Sequence, residues 1–279
     1  MTPTLLMCEP SRFEVCYVIN PWMLGHVNTS KRSLVTRQWS KLHQALARHA
    51  EVRLIEPAAG CPDMVFTANA GLVLGNRVVL ARFRHGERRG EERHFGHWFT
   101  AQGFEVVNLP ADLSFEGAGD ALLDRAAPIV WMGHGFRTDE RAAPEIAAAL
   151  DIEVVPLRLV DPRFYHLDTC LCPLAHGEIL YYPAAFDPDS QRRIDALVPA
   201  HARIAVGEAD ALDFACNAVN LGEHLFLNRA SPQLVTELGA RGYRVGVTPL
   251  TEFMKAGGSA KCLTLRLDEQ QPRRAAAAA

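Results

Sequence analysis

The feature that most constrains the fold of this chain is a strand, turn, strand pattern that recurs about every 50 residues. In the first copy, GLVLGNRVVLARF at 71–83, a Gly-Asn turn separates two apolar strands, which is a hairpin signal. Similar segments follow at 120–135, 169–186 and 217–230. A regular period of this length is typical of repeat architectures, in which each unit buries its faces against its neighbours.

Each hairpin is followed by a helical stretch and a further short apolar strand. The predicted helices are 88–102, 138–150, 188–198 and 231–240. Two of them begin with residue pairs that suit a helix N-terminus, Thr138-Asp139 and Ser231-Pro232. The strands that follow are EVVNLP, EVVPLRLV, RIAVGE and YRVGVTPL. The repeating unit is therefore strand, strand, helix, strand.

The two ends of the chain supply a fifth unit. Segments 261–267 and 13–20 provide its hairpin strands, followed by a helix near 31–48 and the strand VRLIEP. Joining the ends closes a ring, so the predicted fold is a five-bladed α/β propeller with pseudo-fivefold symmetry, in a single domain over residues 1–270. An ordinary α/β sandwich is the competing architecture. Residues 271–279, QPRRAAAAA, have no core-forming pattern and are expected to be a disordered tail.

Composition argues against several classes of function. The 279 residues carry a formal net charge of −3, with Lys and Arg scattered among Asp and Glu, so we expect no nucleic-acid partner. The N-terminus has no signal-peptide pattern, and no apolar run approaches the roughly 18 residues of a membrane span. A cytoplasmic protein without membrane contact is therefore expected. Seven cysteines without a repeated C-x-x-C spacing argue against a disulfide framework or a zinc site.

Polar residues stand at equivalent positions at the hairpins of the five units. In a ring these positions converge at one end of the central channel. They are Asn69, Glu116, Asp120, His166, Asp168, Asn217 and Cys262. A core filled for stability alone would not place such groups at one depth, so the sequence predicts a site for a small-molecule substrate there.

Cys262 is the candidate nucleophile of this site. It follows the flexible stretch Gly-Gly-Ser at 257–259 and is expected to begin a buried strand, a way to present a reactive thiol. A buried structural cysteine is the alternative, because free cysteine often behaves as a small hydrophobe. The acid, base and amide residues at equivalent positions favour the nucleophile.

Five motifs of the chain carry a family resemblance: PDMVFTANAG, SFEGAGDAL, GHGFRTD, YHLDTCLCPL and GGSAKCLTL. They resemble the motifs of the guanidino-group-modifying superfamily, the pentein fold, which includes arginine deiminases, dimethylarginine dimethylaminohydrolases, amidinotransferases and arginine dihydrolases. The resemblance covers nearly the whole chain. It implies that Cys262 attacks a guanidinium carbon, that His166 is acid and base, and that Glu116 supports His166. No metal or organic cofactor is implied.

The resemblance also implies contacts with the substrate. Asp120 and Asp168 correspond to carboxylates near the guanidinium, and Arg137 to an arginine that holds the amino acid's carboxylate. Arg88 is expected to do likewise, with its neighbour Arg89 as the alternative. One departure from the family pattern is the extra residue in Glu-Gly-Ala-Gly-Asp, which leaves the position of Asp120 open.

The chemistry of these residue types agrees with the resemblance. A guanidinium is a planar cation that pairs bidentately with a carboxylate such as Asp168. The same cation lowers the pKa of a neighbouring cysteine, so the substrate helps to activate Cys262. His166 then protonates the leaving ammonia and deprotonates the water that hydrolyses the covalent intermediate.

Two asparagines favour one member of the superfamily. In deiminases an aspartate that clamps the guanidinium typically matches Asn69. The asparagine here, together with Asn20 in YVINPWM, resembles the arginine dihydrolases, which convert arginine to ornithine, carbon dioxide and two ammonia molecules. Amides can hold the neutral ureido intermediate, which carboxylates would repel. Alternatively both are turn residues, since Asn-Pro at 20–21 is a turn signal.

Other functions stay open from the sequence. A one-step guanidine hydrolase, acting on arginine or methylated arginine to give citrulline, needs the same nucleophile. An amidinotransferase would pass the amidino group to an amine instead of water. A translation initiation factor of this fold catalyses nothing, so the fold alone does not define an enzyme. The presence of Cys262, His166 and Glu116 favours a hydrolase.

Overall fold

Five small sheets of three strands each form the framework of the computed structural model, which describes residues 2–270. In every sheet the middle strand pairs antiparallel with one neighbour and parallel with the other. In one sheet, for example, Val79 lies opposite Leu72 across the antiparallel pair and opposite Val107 across the parallel pair. This is the predicted five-bladed α/β propeller.

The helices and strands follow the predicted order of the repeating unit. The strands are β1 Thr4–Cys8, β2 Glu51–Ile55, β3 Gly71–Leu74, β4 Arg77–Leu80, β5 Glu105–Val107, β6 Ala121–Leu123, β7 Ile129–His134, β8 Glu153–Arg158, β9 Leu171–Pro173, β10 Ile179–Tyr181, β11 Arg203–Ala205, β12 Val219–Leu221, β13 His224–Leu227, β14 Arg244–Val247 and β15 Leu265–Arg266. The helices are α1 Arg32–Leu46, α2 Gly90–Ala101, α3 Ala142–Leu150, α4 Pro188–Leu197, α5 Glu208–Leu212, α6 Pro232–Ala240 and α7 Thr251–Met254. The predicted tail, 271–279, lies outside the described residues.

The five longer helices each connect the two parallel strands of one blade, as a parallel pair requires. In α1 the residues Val35, Trp39, Leu42 and Leu46 are buried, at the spacing of one helix face. The opposite face is polar, so α1 packs on the blade through a single apolar stripe. Within residues 2–270 none of the helices has the length and hydrophobicity that a membrane span requires.

The two ends of the chain meet in one blade, but not through the predicted segment. Strand β1 pairs antiparallel with β15 and parallel with β2. The prediction of a strand at 13–20 is therefore wrong. Residues 5–8 are buried without alternation, which suits the middle strand of a sheet covered on both faces, whereas 13–20 alternates in burial and forms no ladder.

One predicted helix start is confirmed and one is wrong. Ser231 caps α6, because its Oγ accepts a hydrogen bond from the N–H of Leu234 at 3.2 Å. Helix α3 begins only at Ala142, without a side-chain cap. Thr138 is used elsewhere: its Oγ1 accepts from the N–H of Glu116 at 3.1 Å and donates to Asp120 Oδ2 at 2.7 Å.

Short 3-10 turns stand directly before β3, β6 and β9 and pack against one another. The turns are Thr67–Ala70, Gly117–Gly119 and Leu167–Thr169. Their close approach requires glycine in the middle turn, because a Cβ on Gly119 would lie 2.2 Å from Asn69 Nδ2. Gly117 in addition has a φ of +60°, which favours glycine. The turns place the polar residues of three blades side by side.

Candidate active site

A small cavity lies where these turns meet the segments around residues 20 and 262. Six of the predicted site residues line it: Asn20, Asn69, Arg88, Arg137, His166 and Cys262. The other four, Glu116, Asp120, Asp168 and Asn217, are hydrogen-bonded to these six or to their chain neighbours. All ten are buried. Within residues 2–270 no three His, Cys, Asp or Glu side chains are grouped as a metal site would require.

Cys262 is held in position by Asn217. The Asn217 amide nitrogen Nδ2 lies 3.1 Å from Cys262 Sγ, and its Oδ1 accepts from the backbone N–H groups of Lys261 and Cys262 at 3.0 and 3.3 Å. Cys262 lies in a turn, three residues before β15 begins at Leu265, so the prediction that it begins a strand is wrong. In a strand the side chains point alternately to the two faces of the sheet, whereas a residue in a turn is not bound to this alternation.

Asp168 faces the thiol. Its Oδ2 and Oδ1 lie 3.4 and 3.6 Å from Cys262 Sγ. Burial raises the pKa of Asp168 to about 6, against the opposing effect of the Lys261 cation. Burial and the Asp168 carboxylate together raise the pKa of the Cys262 thiol well above its ordinary value. The site at rest therefore holds a thiol rather than a thiolate, and a cation placed beside both groups would favour the thiolate.

His166 is oriented by Glu116. Its Nε2 lies 2.7 Å from Glu116 Oε2, which also accepts from Arg137 Nη1 at 3.0 Å. Burial opposes ionisation of Glu116, but Arg137 and the His166 hydrogen bond hold the pKa of this carboxyl well below its usual range. Burial lowers the pKa of His166 to about 4 despite the carboxylate. With Nε2–H assigned as the donor to Glu116, Nδ1 of the neutral ring is left as the base.

Two buried arginines line the cavity. Arg137 lies over the Tyr165 ring, 4.6 Å from its centroid, and donates to the carbonyl oxygen of Ile19 at 2.8 Å. Arg88 forms a forked ion pair with Glu91 at 2.8 and 2.9 Å. Of the two arginines that the sequence left open, Arg88 lies at the cavity, whereas Arg89 turns away and donates to the carbonyl oxygen of Phe83.

Each of the two asparagines combines a local role with a place at the cavity. Asn20 Oδ1 caps a 3-10 turn by accepting from the N–H groups of Trp22 and Met23, while Nδ2 donates to the carbonyl oxygen of Ala256 at 3.0 Å. Asn69 Oδ1 accepts from Arg88 at 2.8 Å, and Nδ2 donates to the carbonyl oxygen of Glu116 at 3.1 Å. An amide nitrogen has two N–H groups, so each side chain keeps one N–H beyond these contacts.

Asp120 lies behind the cavity. Its Oδ2 accepts from Thr138 Oγ1, and its Oδ1 accepts from the N–H of Leu167 at 3.0 Å, next to His166. Asp120 ends the Glu-Gly-Ala-Gly-Asp segment, which has one residue more than the family pattern. Its carboxyl group stabilises the turn that follows His166. Contact between Asp120 and the substrate stays a prediction.

Two residues at the cavity escaped the sequence reasoning. Asp63 is buried, its Oδ2 accepts from Tyr17 Oη at 2.9 Å, and its Oδ1 has no partner among residues 2–270. Tyr165 donates to the carbonyl oxygen of Gly257 at 2.9 Å and so ties the segment before Cys262 to His166. The available signals were an aspartate in the same motif as Asn69 and a tyrosine directly before His166.

A five-bladed ring with cysteine, histidine and glutamate buried at one end defines the guanidino-group-modifying class of pentein proteins. Comparison with known proteins narrows the class. Residues 23–268 match the family model described as N,N dimethylarginine dimethylhydrolase, eukaryotic. A curated N(G),N(G)-dimethylarginine dimethylaminohydrolase of Mycobacterium tuberculosis is 44% identical over 94% of this chain and 84% of its own length. The chain belongs to the dimethylarginine dimethylaminohydrolase family.

Higher identity is found to cyanobacterial proteins. The bifunctional arginine dihydrolase/ornithine cyclodeaminase AgrE of Nostoc is 56% identical over 95% of this chain, which spans 38% of the length of AgrE. The substrate-bound N-terminal domain of ArgZ, an arginine dihydrolase from cyanobacteria, is 55% identical, with a TM-score of 0.95 over 96% of this chain and 99% of that one. Another structure of that domain is covalently bound to a reaction intermediate.

Proposed function

We propose that this protein is an arginine dihydrolase, which hydrolyses free arginine twice to ornithine, carbon dioxide and two molecules of ammonia. The observation that supports it best is the presence of two asparagine amides, Asn20 and Asn69, at a cavity that also contains Cys262 and His166. The 56% identity to a relative named as an arginine dihydrolase supports the same reaction.

Arginine fits the charges of the cavity. Its guanidinium would pair with Asp168, beside the thiol of Cys262. Its α-carboxylate would bind Arg137, which donates two of its five N–H groups to partners among residues 2–270. Its α-ammonium would bind Asp63 Oδ1, which has no hydrogen-bond partner within the described part of the chain. The proposed pose thus matches each charged group of arginine with a buried group of opposite charge.

The first hydrolysis begins when the substrate cation favours loss of the Cys262 proton to His166. The thiolate adds to the guanidinium carbon, and the His166 imidazolium, held by Glu116, returns the proton to the leaving nitrogen, so that the C–N bond breaks and ammonia departs. Neutral His166 then takes a proton from water, and the hydroxide attacks the S-linked carbon. Collapse releases the thiol and leaves a neutral ureido group. The proton that remains on His166 passes to solvent, where it converts the released ammonia to ammonium.

The second hydrolysis requires the neutral ureido product to stay bound. The remaining N–H groups of Asn20 and Asn69 would donate to polar atoms of this group and hold its carbon near Cys262. A second attack by the thiolate expels ammonia and forms an S-linked carbamoyl intermediate. Water releases this as a carbamate, which breaks down to ornithine and carbon dioxide. The sum is one arginine and two waters converted to ornithine, carbon dioxide and two ammonia.

A one-step hydrolase that gives citrulline is the second candidate. The family model and the 44% identical relative, both named for dimethylarginine hydrolysis, favour it. The family model and the relatives described above are not named for amidino transfer, so they do not favour an amidinotransferase. The expected cytoplasmic location and the lack of nucleic-acid and membrane partners stay predictions.

Counting products separates the two candidates. Purified protein incubated with arginine should release two ammonia per ornithine, with little free citrulline, as measured by ammonia assay and amino-acid chromatography. One ammonia per citrulline, or dimethylamine from dimethylarginine without ornithine, would instead establish the one-step hydrolase.

A further inference from the structure

Tyr165 is a buried side chain that lines the cavity and is anchored at both ends. Its backbone follows the 3-10 turn Pro162–Phe164 and directly precedes His166. At the other end, its hydroxyl donates to the carbonyl oxygen of Gly257 at 2.9 Å. Burial raises the pKa of Tyr165 well above its ordinary value, so the hydroxyl keeps the proton that it donates. These two anchors fix the position of the ring.

The segment before the nucleophile makes room for this ring. A Cβ on Gly257 would lie 2.7 Å from Tyr165 Oη and 2.9 Å from Tyr165 Cε1, closer than two unbonded atoms pack. Gly257 also has a φ of +79°, which favours glycine. The Tyr165 ring therefore packs directly against the backbone of this segment, and that contact restricts its movement.

Hydrogen bonds alone leave one rotation of the Arg137 guanidinium open. Within residues 2–270 it donates twice, from Nη1 to Glu116 Oε2 at 3.0 Å and from Nη2 to the carbonyl oxygen of Ile19 at 2.8 Å. Two such contacts fix the line through the two nitrogens but not the plane of the group around that line. Tyr165 supplies a third contact, because the guanidinium carbon lies over its ring, 4.6 Å from the centroid. Attraction between the cation and the face of the ring favours this arrangement.

We propose that Tyr165 is a positioning residue that sets the plane of the Arg137 guanidinium for the substrate α-carboxylate. The inference rests on the proposed function, in which Arg137 binds that carboxylate. A forked contact requires the N–H groups and the two carboxylate oxygens to lie nearly in one plane, so its strength depends on the orientation of the guanidinium. Tyr165 thus favours arginine over a guanidine that lacks a carboxylate.

The ratio of kcat/KM for arginine to kcat/KM for agmatine tests the proposal, because agmatine lacks the α-carboxylate. The ring centroids of Tyr165 and His166 lie 4.7 Å apart, so a substitution can also alter the chemical step. Such an effect acts on both substrates and cancels in the ratio. Tyr165→Leu should lower the ratio about tenfold, whereas Tyr165→Phe, which keeps the ring, should leave it within about twofold of the wild-type value.

Two results of this comparison would refute the proposal. One is an unchanged ratio in Tyr165→Leu. The other is an equal fall in Tyr165→Phe, which would assign the effect to the hydroxyl instead of the ring. Tyr165→Met is a second variant without the ring, to be measured in the same way if circular dichroism shows that Tyr165→Leu does not fold.

Phe83→Leu is the matched control at the other buried arginine. The guanidinium carbon of Arg88 lies 4.4 Å from the centroid of the Phe83 ring, but Arg88 is also held by four hydrogen bonds, including the fork to Glu91. Its orientation does not depend on the ring, so the ratio should not change. A fall equal to that of Tyr165→Leu would show that the ratio responds to any loss of packing near the cavity, and would refute the proposal.

Two measurements on the wild-type protein separate failure of this proposal from failure of the proposed function. One ammonia per citrulline would refute the double hydrolysis but leave the test of Tyr165 unchanged. Equal kcat/KM values for arginine and agmatine would show that Arg137 does not bind the carboxylate, and would overturn both the proposed pose and this inference. If the wild type yields ornithine and prefers arginine, and the variants without the ring keep that preference, only the role of Tyr165 is refuted.

Discussion

Asn69 lies between a cation and a carbonyl group. Arg88 donates to its Oδ1, and its Nδ2 donates to the carbonyl oxygen of Glu116. These two contacts fix which end of the amide is which, so the second N–H of Nδ2 has a defined direction. A carboxylate would satisfy Arg88 but would have no hydrogen for the carbonyl oxygen. The surroundings of Asn69 therefore select an amide over the aspartate of the deiminases.

Replacing Asn69 by Asp should stop the reaction after one hydrolysis. An ionised carboxylate still pairs with the substrate guanidinium, but it cannot donate to the ureido group, and the unpaired contact costs about 1–3 kcal/mol. The variant should release citrulline and one ammonia per arginine. Chromatography of the products over a time course provides the measurement.

Asn20→Asp tests the same role at the second amide. Its Oδ1 accepts from two backbone N–H groups, which a carboxylate also does, so the turn should keep its fold. Citrulline should accumulate here as well. If both variants still yield ornithine with two ammonia, the amides do not hold the ureido intermediate.

At the scale of elements, the three 3-10 turns before β3, β6 and β9 determine the site. They bring together side chains that are about 50 residues apart in the chain, at a distance set by glycine in the middle turn. Gly119 has room for a hydrogen but not for a methyl group beside Asn69. The packing of the turn that contains Gly119 thus controls the orientation of the Asn69 side chain on the neighbouring turn.

Gly119→Ala should therefore act like a mutation of Asn69. The new methyl group displaces the Asn69 amide, and overpacking should lower the free energy of unfolding by about 1–3 kcal/mol. We expect citrulline to accumulate in a protein that still folds, as judged by circular dichroism. Gly239→Ala is the control: it lies in α6 with open space around it and should stabilise the protein by about 0.5–1 kcal/mol without changing the products. Normal ornithine yield from Gly119→Ala would contradict the coupling of the two turns.

For the whole molecule, closure of the ring links stability to activity. Strand β1, near the start of the chain, pairs with β15, which begins three residues after the nucleophile. Leu6 is fully buried at this junction, opposite Leu265. The blade that joins the two ends therefore anchors the segment that carries Cys262.

Leu6→Ala should lower the free energy of unfolding by about 2–5 kcal/mol, since it leaves a cavity in the closing blade. Activity and fluorescence should be lost together at a lower urea concentration than in wild type. Leu54→Ala, on the adjacent strand β2 but 43% exposed, should change stability by less than about 1 kcal/mol. Loss of activity well before loss of fluorescence in Leu6→Ala would show that the closing blade unfolds separately from the ring.

The sequence by itself determined the architecture and predicted most of the polar residues that the structure groups at the cavity. A regular repeat of hairpin, helix and strand leaves few ways to bury every unit, and a ring places equivalent positions at one end of the channel. Cys262, His166 and Glu116 follow from this symmetry and from the family motifs. Their clustering in the structure agrees with that reasoning, because local hydrophobic patterns and repeat spacing are properties of the chain alone.

Only the tertiary structure decided which segment closes the ring and what each polar group touches. Residues 4–8 and 13–20 are both apolar enough to form a strand. Residues 4–8 form the middle strand of the closing blade, because their side chains are buried on both faces of the sheet. Thr138 could cap a helix, but it bonds the turn of Glu116 instead. The choice of Arg88 over Arg89 depends on side chains from distant segments, and so does the lack of a partner for Asp63 Oδ1 within residues 2–270. No local sequence pattern encodes how such side chains pack.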